Sequence, residues 1–347
     1  GGNISVLGNV GPSNALGAIQ VTSAVNLIFS ESVDAASFTQ VASTGRTDFE
    51  GLLTLSGNLD YTATGDSALL EFSAAGDHSI GGTFEATLFE DTDGGSDFTL
   101  QSGANLGVTG TFTQDTNASG TPGVVTLGGN ITTTDSALSI DSPITLTGDV
   151  TLGTGTGTVG DVTLAATIDG GHGLTVDAGT GAAVLGGVVG GSTELASLSV
   201  TGTTVSLQDV TTTGTQSYTG AITTNSTYTS DGSAIEFGGD VILGDAFVVD
   251  TTASGNSSAG ANIGITGELY SVDGGAHTAS FDAGTVGVIT IDGAIGADQE
   301  GEDNSLGGLT VTQSASTTLT GTVTAAAVTL TDTEGTIEFG GALTADT

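Results

Sequence analysis

Lysine is absent and arginine occurs once, at Arg46, against 39 aspartates and glutamates, so the formal net charge is −38. With nothing to neutralise phosphate, nucleic acid is excluded as a partner. An anionic membrane surface is excluded by the same repulsion. Cysteine is missing, which removes disulfides, thiol chemistry and Cys-ligated zinc. Methionine and tryptophan are missing too, leaving little that oxidises easily. One basic residue offers trypsin-like proteases one cleavage site. Both traits suit life outside the cell, and an extracellular or cell-surface location is expected. No apolar run reaches the roughly 18 residues that a membrane-spanning helix needs. The opening "GGNISVLGNV" has no basic and apolar leader, and "EFGGALTADT" stops in mid-pattern. A segment of a larger protein is expected. There is no G-x-S-x-G elbow, P-loop or H-E-x-x-H, and no enzyme is expected; a polysaccharide-active β-helix enzyme is the last of the alternatives.

What the chain has in quantity is glycine, at 59 of 347 positions, among short apolar–polar alternations. In "SPITLTGDVTLGTGTGTVGDVTLAATIDGG", Ile144 and Leu146, Val150 and Leu152, and Val162 and Leu164 each flank a threonine. Period-2 spacing sets the apolar partners on one face and the threonine on the other. Thr and Val favour strands, while Gly-Asp and Asp-Gly-Gly steps supply turns. The chain reads as all-β from end to end.

A longer repeat lies over this pattern. "LGGLTVT" at 306–312 echoes "LASLSVT" at 195–201 and "LGAIQVT" at 16–22. "SAIEFGGDV" at 233–241 matches "TIEFGGAL" at 336–343, and "IDGGHGLTVDAGT" at 168–180 matches "VDGGAHTASFDAGT" at 272–285. The best-matched pairs stand about 100 residues apart, a spacing that suits a solenoid or tandem domains. Tandem immunoglobulin-like sandwiches are the alternative. Aromatics at 5%, no tryptophan and no Pro-rich linker favour a parallel β-solenoid with Val, Ile and Leu stacked between coils. A single continuous solenoid over 1–347 is expected.

"VTLTGDVTLG", "IDGGHGLTV" and "TTTGTQSYTGAITT" resemble the repeats of large secreted bacterial surface proteins, the filamentous-haemagglutinin-like and β-strand-repeat adhesins. The resemblance covers most of the chain. It implies a right-handed parallel β-helix outside the cell, a role in adhesion or surface structure, and no catalytic residues.

Coils of roughly 20–22 residues rising about 4.8 Å would give about 16 coils and a rod on the order of 77 Å. Its charge would be about 0.5 per Å, close to the roughly 0.6 of duplex DNA. Neighbouring coils would lie inside one Debye length of about 8 Å. Bound cations are therefore expected to support the fold, with calcium the hard ion that carboxylates serve. A halophilic surface kept soluble by charge is the plainer reading. "FEDTDGGSDF" offers Glu90, Asp91, Asp93 and Asp97 around Gly94-Gly95, although it misses the EF-hand register. "GADQEGEDNS" offers Asp298, Glu300, Glu302 and Asp303. Each cluster reads as a calcium site or as a solvated acidic turn. His78, His172 and His277 follow "AAGD", "IDGG" and "VDGGA" and read as one recurring turn. Arg46 reads as a surface salt bridge to Asp48 or Glu50. Expected partners are further copies stacked head to tail, because uncapped solenoid ends leave unpaired strands. Surface glycans, held by exposed Thr, Asn and Tyr rows, are the alternative partner.

Overall fold

The structure is a computed structural model that describes residues 2–65, 68–88, 96–116, 123–155, 160–272, 277–297 and 303–345. Among them there is no helix, and 57% of the chain is strand. The strands stack as parallel coils into a β-solenoid architecture, about 13 turns in all. The chain divides into two compact units, Gly1–Val184 and Leu185–Thr347.

In the first unit, one face stacks Ile4–Val6, Leu27–Phe29, Arg46–Phe49, Leu69–Phe72, Asp97–Leu100, Val125–Leu127, Ile144–Leu146 and Ile168–Asp169 in that order. Parallel register aligns Phe29, Phe49, Phe72 and Leu100 in one inward column. A second column runs Phe38, Leu59, Phe84, Phe112, Leu138 and Val162. A third runs Ala35, Leu55, Ile80 and Val108. The triplets Ile-Thr-Leu at 144–146 and Val-Thr-Leu at 162–164 bury both apolar residues and turn the threonine outward, as their alternation requires.

The second unit follows the same rule. Val200, Tyr218, Phe237, Ile265, Ile291, Leu319 and Phe339 form one inward column. Val210, Tyr228, Val249, Phe281, Val311 and Leu330 form another. Scarce as they are, most of the described aromatics are core residues. Phe49 stacks on Phe29 with centroids 5.3 Å apart, Phe112 on Phe84 at 4.4 Å, and Phe237 on Tyr218 at 5.1 Å. Each such pair adds about 0.5–1.5 kcal/mol beyond its buried area.

Coil length varies more than the expected 20–22 residues. The step is 18 from Val210 to Tyr228 and 32 from Asp250 to Asp282. Long steps come from loops inserted at the corners, which lengthen a coil without disturbing the ladder. The solenoid therefore has fewer turns than a uniform coil length implies.

Three polar devices hold the corners. Buried hydroxyls reach across the bend to a carbonyl beyond it: Thr154 to Gly160 at 2.7 Å, Thr212 to Gly214 at 2.6 Å and Thr251 to Ala261 at 2.9 Å. Among the described residues, eleven Asn and Asp side chains accept a main-chain N–H from the next coil, at 2.8–3.2 Å. Asp149 does so for Gly173, Asp161 for Ala182 and Asp240 for Glu268. These are the Gly-Asp steps of the sequence, so many scattered acids have a structural task.

The third device is a glycine column in the second unit. Gly202, Gly220, Gly239, Gly267, Gly293, Gly321 and Gly341 lie at one corner, each against its predecessor. A Cβ added at any of the last six would fall under 3.0 Å from the preceding coil's corner backbone. Only glycine lets coils meet so closely there.

Candidate functional site

Asp97 opens the strand Asp97–Leu100 with its side chain exposed, and its Oδ1 accepts the Val124 N–H at 2.8 Å. It is a coil-to-coil cap of the kind described above. Glu90, Asp91 and Asp93, proposed from sequence to share a site with it, lie outside the described residues. Asp303 is fully exposed, and hydrogen bonds from the Ser305 hydroxyl and N–H hold its carboxyl below the ordinary aspartate value. Asp298, Glu300 and Glu302 lie outside the described residues. Among the described residues no group of three or more His, Asp or Glu is placed to hold a metal ion.

Asp97 has an expected result that separates a cap from a ligand. Asp97→Asn keeps the acceptor for Val124 and should leave the melting temperature unchanged, with or without calcium. Asp97→Ala should lose about 1 kcal/mol, the net contribution of a typical hydrogen bond, because the carboxylate is exposed. A calcium-dependent stabilisation abolished by Asp97→Asn would overturn the cap reading.

The three histidines do not share one position. His78 lies on the strand Gly76–Ile80 and is 1% exposed, pointing inward with Ile80 by simple alternation. Its Nδ1 accepts the Leu53 N–H at 3.2 Å and its Nε2–H donates to the Ala74 carbonyl at 3.1 Å, which fixes the neutral ring. Burial depresses its pKa. His172 is exposed in a turn, 3.9 Å from Asp149. His277 precedes the strand Thr278–Asp282. The matched repeats do share a turn one step later. Asp177 and Asp282 each accept the N–H of a glycine two residues on, Gly179 and Gly284, at 3.0 Å. Both glycines have positive φ, 54° and 67°.

Around Arg46 the structure assembles a covered polar cluster. Its guanidinium reaches Asp48 Oδ2 at 2.5 Å and Glu71 Oε2 at 2.8 Å. Asp48, as expected, is one partner. The second is Glu71 on the next coil rather than Glu50, because Asp48 and Glu71 are register neighbours. The Ser73 hydroxyl donates to Asp48 at 2.7 Å and the Gln101 amide to Glu71 at 2.7 Å. Burial raises the Asp48 pKa despite Arg46.

The outward face of the strands Gly76–Ile80, Ala104–Val108 and Ile131–Thr133 carries an open groove of about 450 Å³. Asp77, Asn105 and Asn130 line one side; Ser79, Gly107 and Thr132 line the other. Asn105 Nδ2 donates to Asp77 Oδ1 at 3.0 Å, and Asn105 Oδ1 accepts the Asn130 N–H at 3.0 Å. The groove presents hydroxyls, amides and one carboxylate, the groups that hydrogen-bond a neutral polyol. Tyrosine does not join it. Tyr61, Tyr218 and Tyr228 are buried, and burial pushes the Tyr61 phenol up to about 12. Three of the four tyrosines are therefore inward, and Tyr270 alone of the four is half-buried on an outward position.

This is a parallel β-solenoid, the architecture of β-helix repeat proteins. No protein-family model matches the chain, and neither a curated protein nor a solved structure does.

Proposed function

We propose that this is an extracellular structural and adhesive protein of a bacterial surface, in which stacked coils extend into a filament. One observation carries the reading: coil-on-coil stacking, through parallel main-chain ladders and inward apolar rows, is the mode of cohesion throughout each unit. Coils of another copy would extend it by offering the same register of N–H and C=O groups. Bound cations, calcium in particular, would offset the −38 charge that opposes such assembly.

Sedimentation and light scattering in EDTA and in millimolar calcium test this. Assembly should grow with protein concentration and be favoured by calcium. Monomers alone under every condition would overturn it. The second reading, a glycan-binding adhesin module, rests on the polyol-like chemistry of the groove at Asp77, Asn105 and Thr132. Binding on a glycan array, lost in Asn105→Ala, is its test.

A further inference from the structure

Parallel stacking places side chains of neighbouring coils about 4.8 Å apart, and in two places both are carboxylates. Asp250 and Asp282 are direct register partners. Asp115 and Asp141 occupy the position after Gln114 and Ile140, which pair. No lysine or arginine stands by either pair, since the one such residue, Arg46, is committed to Asp48 and Glu71. Like charges so close repel strongly, and half-burial of Asp141, Asp250 and Asp282 limits screening.

We propose that these two pairs act as proton-operated clamps, each taking up one proton that turns repulsion into a carboxyl–carboxyl hydrogen bond, so that the coil stack tightens on mild acidification. The inference does not rest on the adhesive reading.

Local bonding says which partner takes the proton. Asp250 accepts the Thr252 N–H and hydroxyl, both at 2.6 Å, and the Ser254 N–H at 2.9 Å, all of which favour its anion. Asp282 accepts one N–H, from Gly284. Asp115 accepts the Thr116 N–H at 2.7 Å, while Asp141 has a longer contact from Ser139 at 3.5 Å. Asp141 and Asp282 are the protonated members. Burial first, and then the facing aspartate, raises both above the ordinary 3.8.

A carboxyl whose pKa is raised by folding binds protons more tightly folded than unfolded. Its contribution to stability therefore grows as pH falls through the folded pKa toward the unfolded value. Other titratable groups near the first pair are Glu85 on Phe84–Leu88, Asp60 on Leu59–Ala63 and Asp161 before Val162–Leu164. Near the second they are Asp231, Asp245, His277, Asp332 and Glu334. All but His277 are acids, and they add repulsion of the same sign at neutral pH. His78 works the other way: folding lowers its pKa, so its contribution is present above 6.5 and shrinks as pH falls below that value.

The test is the melting temperature of the parent and of the Asp141→Asn/Asp282→Asn double variant from pH 7.5 to 5. It is run in about 1 M salt, where the Debye length of about 3 Å removes long-range repulsion. The parent should gain on acidification. The double variant should start about 2–4 °C higher at pH 7.5, a shift readable in units of this size, and have the flatter profile. His78 contributes equally to both proteins and cancels from the difference. Equal slopes, or a parent that starts above the variant, would overturn the proposal. Carbon-detected carboxyl titration of the parent is a second readout, and values at or below 3.8 for Asp141 and Asp282 would overturn it as well.

Discussion

Gly293→Ala should destabilise the second unit by about 3 kcal/mol, the upper end of the overpacking range. For a unit of this length that lowers the melting temperature by about 6–12 °C. The reason is what surrounds the new methyl. At Gly293 the nearest atoms are the Gly267 carbonyl and the Glu268 nitrogen, all main chain. No side chain can swing aside, so two coils must separate at that corner. Their ladder from Ile263–Ile265 to Val288–Ile291 is held to that spacing on the adjoining face. In a solenoid each coil's stability lies largely in contacts with its two neighbours, so a forced separation weakens both interfaces. Gly293 does not have the left-handed backbone of Gly220 (φ 122°), so the cost is steric rather than conformational. Gly244→Ala is the matched control. Its Cβ would meet only the Thr224 carbonyl oxygen at 3.9 Å, an ordinary contact. Reduced freedom of the unfolded chain would offset part of any loss there. Thermal melts of the two variants settle the point. If Gly293→Ala melts with Gly244→Ala, the glycine column is no constraint.

That column also marks where the sequence stops being readable. Alternation within a strand is local, so "ITL" and "VTL" declare their faces without knowledge of neighbours. The parallel solenoid follows from many such triplets separated by small turns. A column instead joins residues 18 to 28 positions apart, such as Gly202 to Gly220 and Gly239 to Gly267, at unequal steps. Nothing but the register reveals that these glycines meet while Gly244 does not. The placing of the aromatics is hidden for a related reason. They stack in two stretches, from Phe29 to Phe112 and from Tyr218 to Phe281, whereas residues 113–217 contain none and aliphatic rows alone fill those coils. Inward phenylalanine was visible in "IEF" at 235–237, where the middle glutamate is exposed. His78 was likewise legible from its alternation with Ile80, and the preceding Gly-Asp drew attention to the turn instead. Dense acid clusters attracted the search for a site. Several acids with structural partners are single ones following glycine, such as Asp149, Asp161 and Asp240, and their bonds run to the next coil.

Arg46→Gln should cost about 3 kcal/mol at pH 7 and much less at pH 5. An exposed ion pair contributes only about 0–1 kcal/mol, and the Arg46 side chain is 40% exposed. What sets the larger value is the state of its partners. The Asp48 side chain is 0% exposed and that of Glu71 is 9%. Removing one member of a buried pair leaves an uncompensated charge and costs about 3–5 kcal/mol. Here it leaves two, on register neighbours. Water beside Arg46 screens part of that, which places the cost at the lower end. The Ser73 and Gln101 bonds survive the substitution, yet neither supplies a positive charge. The pH dependence follows from the same geometry. Without the guanidinium Asp48, already raised by burial, holds its proton more tightly still, so stability returns as pH falls through its raised value. Arg46→Lys should lie between, because an ammonium keeps the charge but not the fork that spans both acids. Adding Asp48→Asn to Arg46→Gln should recover most of the loss at pH 7, since one carboxylate then remains with the Gln101 amide. Urea unfolding of the four proteins at pH 7 and 5 measures all of this. An Arg46→Gln variant as stable as the parent at pH 7, or equally weakened at both values, would refute the account.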